Sequence, residues 1–250
     1  MAQWRPMRLD ARQTLFLYLV GTFVTTLLVG NLIGGKLVQA DLGGMTDWAV
    51  ISVGMIPFPL TFLLTDIVNE FYGKQVARKL TMLGFAMTVL AFVIIYGADA
   101  IPWAPFTQDP GWRGMNQGSF QNVFVSATRI QVASMIAYLI AQFVDIGVFF
   151  LIKRVTGNRY LWLRATGSTV LSQLVDTVVI QAIAWYGILP PGQILNLVVT
   201  SYIVKVAIAI ALTPALYAGH RFVERAFGIR PVAIAPDEHG GHETDADNAG

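Results

Sequence analysis

Six stretches of this chain are apolar for long enough to cross a lipid bilayer, and no other feature limits its fold as severely. They cover residues 14–33, 48–65, 80–98, 129–152, 165–185 and 194–217, and roughly 20 apolar residues in a helix span the hydrocarbon core. Composition points the same way. Hydrophobic residues make up 55% of the 250 positions and charged residues 13%, with a mean hydropathy of +0.58. Soluble chains carry roughly 25% charge. The expected fold is all-α: a polytopic membrane helix bundle of six transmembrane helices. Residues 1–230 would form one transmembrane domain, followed by a polar, acidic tail over 231–250 that should stay disordered.

The first stretch is too long for a signal-peptide core and no A-x-A-like cleavage site follows it, so it reads as a retained helix. Basic residues then orient the bundle. Arg5, Arg8 and Arg12 precede the first span, and Lys74, Arg78 and Lys79 separate the second from the third. Lys153, Arg154, Arg159 and Arg164 lie between the fourth and fifth, and Arg221, Arg225 and Arg230 follow the sixth. That places 13 basic residues on one side, against Lys36 and Arg113 on the other. Both termini are therefore expected in the cytoplasm. The long loop over 97–128 is external, with Trp103 and Trp112 at the interface or folded over a vestibule.

Ionisable groups inside a span each cost about 2.5–3.5 kcal/mol on insertion scales, so they face partners or a cavity. The fourth span carries Gln131, Ser134, Tyr138, Gln142 and Asp145, which at 100° per residue fall within about 80° of one another. The fifth repeats the pattern with Thr169, Ser172, Gln173 and Asp176, and the sixth adds Ser201 and Lys205. One such residue would serve as interhelical glue. Two aspartates, a lysine and several glutamines on neighbouring spans favour a polar pocket. Asp176 and Lys205 each lie about 11 residues inside their spans, both near mid-bilayer, and should pair. Arg129 points away from the stripe and should snorkel to the outer interface.

Pro57 and Pro59 interrupt the second span, either exposing backbone to a solute or simply kinking the helix. The span runs into Asp66, Asn69 and Glu70 before Gly73, which can end it with a positive φ. Residues 30–36 mimic a phosphate-binding loop by chance, lacking its Ser or Thr and its strand; Gly30 and Gly34 could allow close packing. No cysteine is present and the histidines (His220, His239, His242) come late, so neither a metal nor a cofactor is expected. The common hydrolase, zinc-protease and dinucleotide motifs are missing. An enzyme using the buried carboxylates is the least favoured reading.

Residues 57–79 (PFPLTFLLTDIVNEFYGKQVARK), with 129–154, 164–185 and 201–217 in support, resemble the vitamin-uptake-type family of queuosine precursor transporters. The likeness runs over roughly 14–220. It implies a bacterial inner-membrane, multi-pass importer of 7-cyano- or 7-aminomethyl-7-deazaguanine for queuosine salvage. An alternative is the substrate-binding subunit of an ATP-driven importer. The resemblance carries over Asp66, Arg129, Gln142, Asp145, Asp176 and Lys205, and less strictly Glu70. A deazaguanine presents N1–H and exocyclic N–H donors to a carboxylate, O6 to an amide or ammonium, and a flat face to an aromatic ring. Asp145 or Asp176, Gln142 or Gln173, and Tyr138 or Phe58 could supply these. The expected substrate-binding or proton-coupling set is Asp66, Glu70, Gln131, Tyr138, Gln142, Asp145, Gln173, Asp176 and Lys205. The expected partners are the small-molecule substrate and the lipid bilayer, with no nucleic acid; a homodimer is compatible with the sequence.

Overall fold

In the computed structural model, residues 9–34, 36–39, 50–125, 128–156 and 159–232 are described. Helix α1 (Ala11–Ile33) opens on a reciprocal cap. Asp10 Oδ1 accepts from Gln13 N at 2.6 Å, and Gln13 Oε1 accepts from Asp10 N at 3.1 Å. Two backbone donors that the first turn would leave unpaired are thereby satisfied. A short antiparallel ladder follows, β1 (Leu37–Gln39) against β2 (Val50–Ser52). A 3₁₀ turn, Val53–Met55, then leads to α2 (Phe58–Phe71).

The second expected span differs most from the sequence reading. Of residues 48–65, positions 48 and 49 lie outside the described residues, and helix begins only at Phe58. Pro57 caps α2 and Pro59 sits in its first turn, where a missing N–H costs nothing. The prolines therefore start a helix instead of kinking one. At 14 residues α2 is about 21 Å long, short of the roughly 30 Å core. Its outward continuation is the 3₁₀ turn, pressed against the end of α1. A Cβ on Gly54 would stand 2.5 Å from Gly30 O and 2.9 Å from Gly34 Cα, so only glycine permits this approach. Gly30 and Gly34 do allow a close contact, but with a turn. The three-residue ladder apart, every regular element among the described residues is helical, as the all-α expectation has it.

Gly73, at φ +86°, turns the chain from α2 into α3 (Lys74–Asp99). After a 3₁₀ turn at Pro105–Gln108 come the one-turn α4 (Gln117–Phe120) and a π turn, Gln121–Val125. The remaining helices are α5 (Thr128–Thr156), α6 (Leu161–Trp185), α7 (Pro191–Ala211) and α8 (Thr213–Phe227). The expected sixth span, 194–217, breaks at Leu212 because Pro214 cannot bond back into α7. Among the described residues, five helices are long and apolar enough to cross a membrane: α1, α3, α5, α6 and α7.

The bundle inverts the burial pattern of a soluble protein. Leu17 and Tyr18 of α1, Val93 and Ile94 of α3 and Ile203 of α7 face outward. Short α2 is the hub, buried from Thr61 and Phe62 through Leu64–Phe71 with the polar Thr61, Thr65, Asp66, Asn69 and Glu70 all inside. Around it pack Leu15, Leu19, Phe23 and Leu27, one stripe of α1, together with Leu80 of α3 and Ile146 and Phe149 of α5.

Candidate functional site: a polar interior in two layers

At one end of the bundle a carboxylate is held by two cations. Arg164, in the first turn of α6, donates from Nη2 to Glu70 Oε1 at 2.7 Å and from Nε to Oε2 at 3.1 Å. Lys153, in the last turn of α5, donates to Glu70 Oε2 at 3.2 Å. The His220 ring of α8 approaches Oε1 at 4.0 Å. Two-pronged guanidinium binding fixes the carboxylate's orientation as well as its charge. The chain beyond α8 closes over this cluster. Val232 N donates to Glu70 O at 2.8 Å, and Lys153 also donates to Val232 O at 3.1 Å. Pro231 and Val232 are half-buried, which corrects the expectation of a free tail from 231; positions 233–250 lie outside the described residues.

The second layer begins about 6 Å deeper, one turn up α2, at Asp66. A narrow cavity of about 40 Å³ runs from Phe58, Phe62 and Asp66 of α2 past Thr169 and Gln173 of α6 to Lys205 of α7. It has room for ordered water. Beside it Lys205 Nζ donates to Asp176 Oδ2 at 2.5 Å and lies 5.8 Å from the centre of the Phe58 ring. The pairing expected from depth is present. Asp145 of α5 is fully buried, accepts from Ser172 Oγ at 3.0 Å through Oδ1, and lies close enough to Asp66 for the two charges to interact.

Several buried polar atoms in this layer have no protein partner: Asp66 Oδ1, Asp145 Oδ2, Gln173 Oε1, and both amide atoms of Gln142 and Asn69. Polar groups in protein interiors are normally satisfied. So many orphans side by side mark a place built to receive something polar. The interior offers carboxylate and amide acceptors, one ammonium and an aromatic face.

Other expected residues are placed elsewhere. Tyr138 donates to Thr81 O on α3 at 3.3 Å, and Gln131 donates to Phe124 O at 3.1 Å. Ser134 bonds Asn31 of α1 at 3.3 Å. The polar stripe on α5 is real, but its outer half meets α1, α3 and the preceding turn, while only Gln142 and Asp145 reach the buried centre. Arg129 donates to Ile183 O and Tyr186 O at 2.8 and 2.6 Å, capping the carbonyl end of α6.

The sequence reading used Lys153 and Arg164 only as basic residues that orient the bundle, and gave Asn69 no role. The signal was available in the helical period. Arg164, Ser168, Ser172 and Asp176 step by four along α6, and Asp145, Phe149 and Lys153 step by four along α5. Each stripe runs on into the basic cluster at its end.

A membrane-spanning bundle closed around such an interior defines the class as a membrane transport protein. The family described as "Putative vitamin uptake transporter" matches residues 52–219. The chain belongs to this family, that of the queuosine precursor transporters. It is 30% identical to the "Probable queuosine precursor transporter" of Bacillus subtilis (strain 168), over 73% of this chain and 76% of that protein. It is 31% identical to the "Queuosine precursor transporter" of Escherichia coli (strain K12), over 58% of each chain. A Haemophilus influenzae relative, "Probable queuosine precursor transporter", is 29% identical over 58% of this chain and 57% of its own. No solved structure matches the chain.

Proposed function

We propose that this protein imports a queuosine precursor, 7-cyano- or 7-aminomethyl-7-deazaguanine, across the bacterial inner membrane. The observation that carries the reading is the cavity between α2, α6 and α7, where Asp66 and Gln173 keep unpaired acceptors beside Lys205 and Phe58. Asp66 would accept the N1–H and exocyclic N–H donors, Lys205 or the Gln173 amide would meet O6, and Phe58 would cover the ring. Widening the cavity would mean moving α7 and α8, which line it together with α2 and α6 and meet at Leu212. Asp145 and Gln142 do not line this cavity.

The reading includes six crossings with both termini cytoplasmic. Two contacts support it. Arg12 at the start of α1 donates to Phe71 O at 2.6 Å, and Gly30 and Gly34 near its end meet Gly54. Residues 54–71 therefore accompany α1 along its whole length and supply the sixth crossing. The basic residues sit at the Arg12 end.

The test is uptake of labelled 7-cyano-7-deazaguanine by liposomes holding only the purified protein, with unlabelled 7-aminomethyl-7-deazaguanine, guanine and B vitamins as competitors. Saturable uptake blocked by the deazaguanines alone is expected. Asp66→Asn should lower it roughly 10–100-fold, the worth of one hydrogen bond to a charged group. Accumulation of a vitamin with no deazaguanine uptake would overturn the substrate. Binding without uptake would favour the subunit of an ATP-driven importer.

A further inference from the structure

The described interior holds four carboxylates, Asp66, Glu70, Asp145 and Asp176, against three cations, Lys153, Arg164 and Lys205. Each cation has a carboxylate within bonding distance: Lys153 and Arg164 have Glu70, and Lys205 has Asp176. Asp145 forms no ion pair among the described residues, is 0% exposed, and leaves Oδ2 without a partner. A bare carboxylate there is the most costly arrangement a membrane protein can adopt, and it is relieved only by a proton or a bound cation.

The surroundings are built from oxygen. Ser172 donates to Asp145 Oδ1 at 3.0 Å, and the hydroxyls of Ser168 and Thr169, buried on the same face of α6, lie near the carboxylate. One turn along α5, the fully buried Gln142 has both amide atoms unpartnered. The charged group that acts on this point is Asp66 from α2, which is itself acted on by Glu70 of α2 and by Arg164 from the start of α6. The charged residues of α3 (Lys74, Arg78, Lys79 and Asp99) all lie near its ends.

We propose that Asp145 and the hydroxyls of Ser168, Thr169 and Ser172 form a site for a monovalent cation, a proton or a sodium ion, whose occupancy is coupled to transport. The coupling follows from Asp66. While Asp145 is bare, its charge opposes the charge of Asp66, the carboxylate that lines the cavity. A cation on Asp145 removes that repulsion and leaves Asp66 free to accept donors from a base. Base and cation then favour each other's binding by the same factor.

The coupling half rests on the transporter reading, and the binding half does not, so two measurements separate them. The first is thermal unfolding of the purified, detergent-solubilised protein in sodium chloride against choline chloride, and across pH. The wild type is expected to respond to sodium or to pH in a way that Asp145→Asn abolishes and Ser172→Ala weakens. Identical responses of wild type and Asp145→Asn to both variables overturn the site, whatever the transport result. The second is accumulation of 7-cyano-7-deazaguanine in proteoliposomes under an inward proton gradient, an inward sodium gradient, or neither. One gradient should raise wild-type accumulation about tenfold and leave Asp145→Asn unresponsive, and the effective gradient identifies the ion. A gradient response that persists in Asp145→Asn overturns the coupling. If no base crosses but the unfolding responses still differ, the transporter reading fails and the cation site stands.

Discussion

Asp176 and Lys205 sit where neither has another opposite charge within bonding distance among the described residues, so each is the other's only relief from the low dielectric. Removing one member of such a buried pair typically costs about 3–5 kcal/mol, well above the net worth of the pair. Asp176→Asn and Lys205→Met are each expected to lower the detergent melting temperature sharply, and the double variant to recover much of it. A double variant as unstable as the worse single one would refute the pairing. Glu70 should behave asymmetrically. Glu70→Gln leaves Lys153 and Arg164 facing one another without their shared anion, whereas Lys153→Met leaves Glu70 still gripped by Arg164. Melting curves should rank Glu70→Gln as the more damaging change. The first pair could be read from sequence because depth along two spans is arithmetic. The second could not, because positive charge at a helix end reads equally as orientation signal or as ion-pair partner, and only the fold decides.

The elements show a similar division. Long apolar helices were plain because length and hydropathy alone set them. Helix α2 was not, since hydropathy cannot distinguish an apolar helix from an apolar turn, and three-residue strands have no period to detect. The prolines held the missing information, read as a break when they marked a start. The chain after α8 was misread for a related reason. Gly228, at φ +65°, turns it back, Ile229 enters the core, and Val232 reaches α2 and Lys153 through its backbone, which composition cannot reveal. Truncation after Val232 should leave stability unchanged. Truncation after Arg230 deletes both backbone bonds, one of them to a charged amine, worth about 2–4 kcal/mol together. A melting temperature lowered by the second cut and not the first is expected; equal curves would show that this strap contributes nothing.

The whole molecule has two chemically distinct ends, and the contacts identify which residues share one. Arg12 reaches Phe71, Glu70 reaches Lys153 and Arg164, and Val232 reaches Glu70, so the start of α1, the α2–α3 turn, the α5–α6 turn and the chain after α8 lie together. The opposite end gathers Asn31 with Ser134, Asp99 with Gln121, and Arg129 with the end of α6. Basic residues crowd the first end, and under the proposed orientation that end is the inner one. In the proposed six-crossing arrangement the 21 Å length of α2 is extended by the glycine-dependent turn at Gly54, which meets the far end of α1. Reporter fusions after Lys79, Arg159 and Arg225 should therefore read as cytoplasmic, and fusions near Asp41, Gln108 and Pro191 as external. The fusion after Arg159 decides most. If α2 were only a re-entrant half-span, every later segment would change sides and Arg159 would report from outside. An inside report at Arg159 together with an outside report at Asp41 requires residues 54–71 to cross.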